Sequence, residues 1–282
     1  MIMLSATPHD GKPESFASLI NMLDPTAIPN PKEYSHEDYR DKGLVVRRFK
    51  SAVAQQLSTS LPEREVFPTK APTTDLEEIA FREVRGATFK TLNRGSGGAG
   101  QLFRTTLEKA LLSSPAACLS TIENRLKRLN QKEPDEDIRH DVSQLEGIQF
   151  ACSAIEPAGF SKLTLLVQML DKKSSSIGWD RDDPNDRIVL FTESVVTLNY
   201  LAEQLSGMAK LKKGQWSVLH GGMRDIEQID IVNEFSRPQS PLRLLLCSDV
   251  ASEGLNLHHC SHRLIHFDIP WSLMVFQQRN GR

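Results

Sequence analysis

The sequence predicts an α/β fold with a parallel sheet and helices on both of its faces, and two observations indicate it. In residues 161–282, short apolar stretches alternate with amphipathic helical patterns. Strands that alternate with helices form βαβ units, whose connecting helices cover the faces of a parallel sheet. Short polar residues and glycines follow the apolar stretches directly, at the carboxyl ends of strands, where such sheets bind their ligands.

The chain begins with the predicted end of a strand at residues 2–4 and a turn at residues 5–13, followed by a helix. Four apolar residues share one face of that helix: Phe16, Leu19, Ile20 and Leu23. Asp24 and Pro25 end the helix, because a residue before proline is pushed out of the α region. Residues 25–36 are rich in Pro and Asn and predict a loop.

Residues 66–158 predict a helical insertion between two lobes. The glycine-rich stretch 95–100 predicts a flexible break, and the acidic stretch 133–137 predicts an exposed loop. Between them lies another amphipathic helix, whose apolar face is formed by Leu119, Ile122, Leu126 and Leu129.

The rest of the chain predicts a regular alternation of helices and strands. Ser161 and Ser194 are placed to cap two helices, since Ser is favoured at the residue before the first helical turn. Their apolar faces are Leu163, Leu166, Val167 and Leu170 in the first helix, and Val195, Leu198, Ala202 and Leu205 in the second. Strands are predicted at residues 188–191, 217–219, 242–247 and 264–267, and a further helix at residues 225–235.

Composition excludes some classes of protein. Hydrophobic residues make up 39% and charged residues 25%, which is ordinary for a soluble chain. No apolar run approaches the roughly 20 residues that span a bilayer, so no membrane association is predicted. The net charge of −2 argues against a passive nucleic-acid coat protein, but not against a motor whose contacts lie in one cleft. The four cysteines form no CxxC pair, which favours a reducing, cytoplasmic location.

A polar segment directly follows the apolar strand 242–247. Gly254 can leave backbone groups accessible, and the short side chains of Ser248, Asp249 and Asn256 can reach a phosphodiester and a nucleotide together. The alternative is a strand-end turn with an Asx cap, which short polar residues form without any ligand.

A second cluster, Gln278, Arg279 and Arg282, lies on a predicted helix at the end of the sequence. Gln278 and Arg282 share a face because they are four residues apart. An arginine presented to the γ-phosphate stabilises the charge of the transition state, so this cluster predicts an ATP contact. The alternative is a solvated helix end that happens to contain arginine.

Three further patterns are rejected as sites. Residues 6–13 resemble a phosphate-binding loop, but Pro13 stands where a Ser or Thr hydroxyl must bind Mg²⁺. Asp135 and Glu136 resemble a metal-binding pair, but no apolar strand precedes them. The histidines and cysteine within residues 258–262 match no common zinc spacing, so no metal site is predicted.

Taken together, these stretches resemble the Swi/Snf-related branch of superfamily-two helicase-like ATPases, particularly the bacterial RapA-like members. The matching segments run in the family's order through most of the chain. Residues 4–8 resemble motif III, 46–50 with 61–62 the double-Arg and Leu-Pro signature, 189–192 motif IV, 219–221 the segment after it, 248–257 motif V, 268–271 the following strand end, and 278–282 motif VI.

The resemblance implies two RecA-like lobes: the remnant of a first lobe at residues 1–65, the helical insertion at 66–158, and a second lobe at 159–282. It also implies roles for single residues. Ser5, Ala6 and Thr7 would couple the ATP site to the nucleic-acid track. The nucleic-acid backbone would be contacted by Thr192, His220, Gly221, Ser248, Asp249 and Asn256. The triphosphate would be contacted by Gly254, Gln278 and Arg282, of which Gln278 and Arg282 would be catalytic. Arg279 either joins them or is structural.

The family's phosphate-binding loop and Mg²⁺-binding acidic motif precede motif III, where this sequence starts. We therefore expect the C-terminal part of an ATP-dependent translocase on double-stranded DNA. The complete enzyme would use ATP and Mg²⁺, and this chain alone would hold neither. One alternative is a non-catalytic subunit that supplies motifs IV to VI in trans to a first-lobe polypeptide. The other is part of an RNA helicase, which Arg47 and Arg48 with the Leu-Pro pair disfavour.

Overall fold

A computed structural model describes residues 2–3, 12–46, 64–93, 98–171, 177–209, 211–249, 257 and 261–280. The chain divides into two compact units, Met1–Thr69 and Lys70–Arg282. The domain boundaries expected from the sequence, after residues 65 and 158, stay a prediction. None of the described helices is long and apolar enough to cross a membrane.

The first unit contains α1 (Pro13–Leu23) and α2 (Glu37–Arg40). The predicted first helix is confirmed, and it ends at Leu23 because Asp24 before the proline is extended. The loop then folds back on α1, since the Asn21 side chain both donates to the carbonyl and accepts from the amide of Ile28, each at 2.9 Å. The strand end at residue 4 and most of the predicted turn lie outside the described residues.

The second unit begins with helices, as predicted. These are α3 (Asp75–Gly86), α4 (Lys90–Asn93), α5 (Ala99–Ser113), α6 (Pro115–Leu129) and α7 (Glu136–Ser153), followed by a 3-10 turn (Pro157–Gly159) and α8 (Ser161–Met169). The predicted face of α6 is confirmed, with Ile122 and Leu129 fully buried. Ser114 begins this helix by accepting the amide of Ala117 at 3.1 Å.

Two loop predictions in this region are wrong in part. Ala99 and Gly100, expected in a flexible break, form the first turn of α5. The acidic stretch 133–137 ends in a helix start, because the Asp135 carboxylate accepts the amide of Ile138 at 2.8 Å and caps α7. Carboxylates in a first helical turn are favoured by the helix dipole, so the acidic residues help to begin α7.

The expected role of Ser161 is also wrong. Ser161 is the first residue of α8, and its hydroxyl donates to Oε1 of Glu77 at 2.9 Å. The amide of Ser161 donates to the same oxygen at 3.3 Å, while Oε2 of Glu77 accepts the amide of Thr74 at 2.8 Å. One buried carboxylate on α3 therefore caps the starts of two helices.

The sheet region contains, in chain order, β1 (Arg187–Thr192), α9 (Val195–Met208), β2 (Trp216–Leu219), α10 (Asp225–Ser236), β3 (Leu244–Ser248), β4 (Ser261–His266) and α11 (Leu273–Asn280). The strands form one sheet in the order β2-β3-β1-β4, and each neighbouring pair is parallel. This confirms the predicted α/β fold with a parallel sheet.

Successive side chains of a strand point to opposite faces, and both faces of this sheet are covered. On one face, Ile188 and Leu190 of β1 pack in a core that includes Leu198 of α9 and the helices before β1. On the other face, Val189 and Phe191 pack in a core that includes Phe235 of α10. Helices on both faces are thus confirmed. Within α9 one predicted core position is wrong, since Val195 is 42% exposed.

Candidate functional site

The four strands end at the same edge of the sheet because they are parallel. Thr192 at the end of β1 pairs with Ser248 at the end of β3, and Leu219 at the end of β2 pairs with Cys247. On the other side of β1, Phe191 pairs with His266 of β4. We call the strand ends and the residues that directly follow them, 192, 219–221, 248–249 and 266–268, the carboxyl edge. It unites segments that the sequence predicts to bind ligands.

Arg279 of α11 is 1% exposed and joins two parts of the carboxyl edge. Its Nη2 donates to Oδ2 of Asp249 at 2.8 Å, and its Nε donates to the other oxygen of that carboxylate. Its Nη1 donates to the backbone oxygen of Asp268 at 2.6 Å, and the guanidinium lies 5.6 Å from the centre of the Phe191 ring. Arg279 therefore has the structural role that the resemblance left open.

Asp249 belongs to the predicted nucleic-acid contacts, yet both of its carboxylate oxygens accept hydrogen bonds from Arg279. The ion pair is largely shielded from water, with side-chain exposures of 1% for Arg279 and 21% for Asp249. A contact between Asp249 and a nucleic acid stays a prediction, and a negative carboxylate in this position orients a cation rather than a phosphate.

Thr192, another predicted nucleic-acid contact, is fully buried. Its hydroxyl donates to Oδ2 of Asp268 at 2.5 Å. The same oxygen accepts the hydroxyl of Ser113 at 2.8 Å, and Oδ1 accepts the ammonium of Lys162 at 2.8 Å. A direct phosphate contact by Thr192 would require its hydroxyl to leave Asp268, so Thr192 is better placed to hold the edge together.

Ser248 is 2% exposed, and its hydroxyl has no hydrogen-bond partner among the residues that the structure describes. Burying a hydroxyl without a partner costs roughly 1–3 kcal/mol, which marks this strand end as a polar position that the surrounding protein does not satisfy. Gly254 and Asn256, which belong to the same motif, lie outside the described residues.

His220 and Gly221 follow β2 at the carboxyl edge. The half-buried His220 ring accepts the amide of Gly222 through Nδ1 at 3.2 Å. In the neutral imidazole this bond puts the proton on Nε2, so the ring can donate a hydrogen bond in the way a phosphate oxygen requires. Gly221 is exposed, and its backbone is open to a ligand.

Gln278 lies half-buried on α11, beside Arg279, which holds the helix to the carboxyl edge. This placement agrees with the helix predicted at this point. Its proposed catalytic partner, Arg282, lies outside the described residues, as do the three predicted coupling residues Ser5, Ala6 and Thr7.

Within the described part of the chain, no three His, Cys, Asp or Glu side chains converge as metal ligands would. Residues 258–260 of the rejected zinc pattern lie outside that part. Sequence reasoning missed the central position of Asp268 and its partners Ser113 and Lys162. The strand end at Asp268 was visible in the sequence, but Ser113 lies 155 residues earlier, and no local pattern links the two.

Residues 161–282 match the family described as helicase conserved C-terminal domain. The whole chain (100%) is 22% identical to a protein named uncharacterized ATP-dependent helicase YqhH from Bacillus subtilis (strain 168), of which it covers 47%. It is 24% identical to the RNA polymerase-associated protein RapA of Pectobacterium carotovorum subsp. carotovorum (strain PC1), again over 100% of this chain and over 30% of that protein.

Among solved structures, the Pyrococcus furiosus Hef helicase domain is similar with a TM-score of 0.49 and 13% identity, over 95% of this chain and 65% of that one. The chain spans about half of YqhH and about a third of RapA, at 47% and 30% of their lengths.

Proposed function

We propose, from the premise that this chain belongs to the RapA-like branch of the Swi/Snf-related superfamily-two helicases, that it is part of an ATP-dependent motor on double-stranded DNA. Residues 159–282 would form the second RecA-like lobe of that motor, and the chain would also include a first-lobe remnant at 1–65 and a helical insertion at 66–158. Closure of the two lobes on ATP would move the second lobe along the DNA backbone.

The observation that carries this proposal is the convergence of four strand ends and α11 at the carboxyl edge. His220, Gly221 and Ser248 come there from β2 and β3, and Arg279 fixes the helix that carries Gln278. Polar groups aimed at one edge of a parallel sheet suit a ligand with many phosphate oxygens. Contacts to a phosphate backbone should be insensitive to base sequence.

We assign the predicted site residues to three groups. His220, Gly221, Ser248 and Asn256 would contact the DNA backbone, while Thr192 and Asp249 would act by positioning because their polar atoms already bind Asp268 and Arg279. The third group, Gly254, Gln278 and Arg282, would contact ATP, with Gln278 and Arg282 stabilising the charge on the triphosphate. Ser5, Ala6 and Thr7 would couple the two ligands.

ATP and Mg²⁺ are the proposed cofactors of the complete enzyme, and by the family resemblance a Lys-bearing phosphate loop and an acidic motif would hold them. This sequence contains neither pattern. A cytoplasmic location is part of the same proposal.

Binding to duplex DNA tests the nucleic-acid half of the proposal. We expect the chain to bind random-sequence duplex DNA with an affinity that falls steeply between about 50 and 200 mM salt. The logarithm of the binding constant should fall linearly with the logarithm of the salt concentration, with a slope proportional to the number of phosphates contacted. His220→Ala should weaken binding, whereas replacing the exposed His262, at the amino end of β4 and away from the carboxyl edge, by Ala should not. Equal loss in both variants would contradict the proposed edge, and preferential binding to duplex RNA would favour the RNA helicase alternative.

ATP turnover tests the other half. The chain alone should show no turnover above background, with or without DNA, and a first-lobe polypeptide added in trans should restore it if the chain acts as a separate subunit. Turnover by the chain alone that Arg282→Ala abolishes would contradict the proposed need for a first lobe.

A further inference from the structure

We infer that Asp268 is a positioning residue that fastens the end of α5 and, through Arg279, the C-terminal part of α11 to the carboxyl edge. The end of α5, α11 and the carboxyl edge would then respond to a nucleotide as one unit. This consequence rests on the proposed function. The fastening itself is a property of the folded chain and does not depend on any ligand.

The carboxylate of Asp268 accepts side chains from three separate elements. Ser113 at the end of α5 and Thr192 at the end of β1 both donate to Oδ2, at 2.8 and 2.5 Å. Lys162 of α8 donates to Oδ1 at 2.8 Å and to the backbone oxygen of Leu112 at 2.7 Å. Lys162 thereby also satisfies a carbonyl group at the end of α5, where a helix leaves such groups without partners.

A second set of bonds holds the same junction to the sheet region. The hydroxyls of Ser113 and Ser114 each lie 2.7 Å from Oγ1 of Thr197, which is in the first turn of α9. Ser114 and Thr197 are completely buried and Ser113 is 8% exposed, so water does not compete for these bonds. The passage from α5 to α6 is therefore bonded both to Asp268 of the carboxyl edge and to the first turn of α9.

The backbone of Asp268, unlike its side chain, is bonded to α11. Its carbonyl oxygen accepts Nη1 of Arg279 at 2.6 Å, and Arg279 in turn holds Asp249 after β3. Asp268 is thus linked through its backbone oxygen to Arg279, and so to α11, the helix that also carries Gln278.

Energetics favour a positioning role over a stabilising one. The side chain of Asp268 is 10% exposed and that of Lys162 27%, so both charges lose much of their hydration. The attraction of a buried pair is largely offset by this desolvation, and such pairs often contribute specific geometry rather than net stability.

Hydrogen exchange followed by mass spectrometry on the 282-residue chain tests the inference. Asp268→Ala should raise exchange in α11 and at the end of α5 by about tenfold, because local opening no longer breaks the shared bonds. Asp268→Asn should have a smaller effect, since an amide oxygen still accepts the two hydroxyls but carries no charge for Lys162. Ser113→Ala, which removes a single hydroxyl and is the mildest change, should raise exchange in both segments to a lesser degree.

Asp186→Asn is the matched control. Asp186 forms an ion pair with Arg263 near the amino ends of β1 and β4, and the side-chain exposures, 11% and 31%, are close to those of the Asp268 pair. This variant should leave exchange in α11 unchanged. Equal effects of the Asp186 and Asp268 variants would overturn the inference, and so would unchanged α11 exchange in a folded Ser113→Ala protein. The measurement needs neither ATP nor DNA, so its failure is distinct from failure of the proposed function.

Discussion

Arg279 donates two hydrogen bonds to the carboxylate of Asp249, which lies 30 residues earlier in the sequence. The planar guanidinium matches a carboxylate in this bidentate geometry, which a lysine ammonium cannot reproduce. Because the same guanidinium also binds the backbone of Asp268, one side chain determines where α11 lies against the strand ends. The predicted triphosphate contact at Gln278 depends on that helix.

Replacing Arg279 should destabilise the protein strongly. Arg279→Ala should lower the free energy of unfolding by about 3–5 kcal/mol, because it leaves a partly buried carboxylate without its partner. Arg279→Lys should lie between this variant and the native chain. Urea denaturation measures the change, and Gln278→Ala, on the neighbouring half-buried position, should stay within about 0.5 kcal/mol. A loss for Gln278→Ala as large as for Arg279→Ala would refute the assignment of these roles.

The two partners should also show coupled effects. In a double-mutant cycle of Asp249→Ala and Arg279→Ala, we expect an interaction free energy of about 1–3 kcal/mol, because each single change removes the same bonds. The cycle is measured by chemical denaturation of the four proteins. Additive effects, within the roughly 0.5 kcal/mol typical of independent sites, would show that the ion pair does not form in solution.

Glu77 should matter through the starts of α3 and α8. Glu77→Ala removes the acceptor for Ser161 and Thr74, and each buried donor left without a partner costs about 1–3 kcal/mol. Hydrogen exchange should rise in the first turn of α8, although that turn lies 84 residues away in sequence. Glu78→Ala, on an exposed neighbour, is the control and should leave α8 unaffected.

Alkaline pH should destabilise the fold through Cys247 and Tyr200. Burial, followed by the charge of Asp249, raises the pKa of the Cys247 thiol, and burial raises the pKa of Tyr200. Since the folded pKa lies above the unfolded one in both, their stabilising contribution is complete below the ordinary values and is lost as pH rises past them. For the thiol this begins near about pH 8.5, with a limit of about 1.4 kcal/mol per pH unit.

Urea midpoints measured from about pH 7 to 10 test this dependence. Cys247→Ala should flatten the decline between about pH 8.5 and 10, because it removes the thiol that ionises on unfolding. Cys118 lies in a different core, where the hydrogen bond that its thiol donates to Cys152, followed by burial, raises its pKa, so Cys118→Ala should flatten the decline independently. A decline that neither variant alters would assign the effect to other groups.

Local patterns predicted much of the fold. Ser194 caps α9 as expected by accepting the amide of Thr197, and the apolar face of α8 packs as its spacing indicates. The strand ends at Thr192 and Ser248 also lie together, because the alternation of strands and helices already implies a parallel sheet. These features depend on residues a few positions apart, which a sequence displays directly.

Contacts across long separations were not predictable in this way. The capping of α8 by Glu77 replaced the cap expected from Ser161, and the thiols of Cys118 and Cys152 form a hydrogen bond although they are distant in sequence. Each of these pairs joins different helices, and the polarity of a residue does not reveal which distant partner satisfies it.

The sequence by itself determined the fold class and the motifs that lie at the carboxyl edge, since periodicity and strand-end chemistry are local. Only the tertiary structure decided which polar groups at that edge are already occupied. Arg279 and Asp249 bind each other, and Thr192 binds Asp268, so three residues of the predicted motifs organise the edge. The physical reason is that a buried polar group must find a partner in three dimensions, wherever the chain places it.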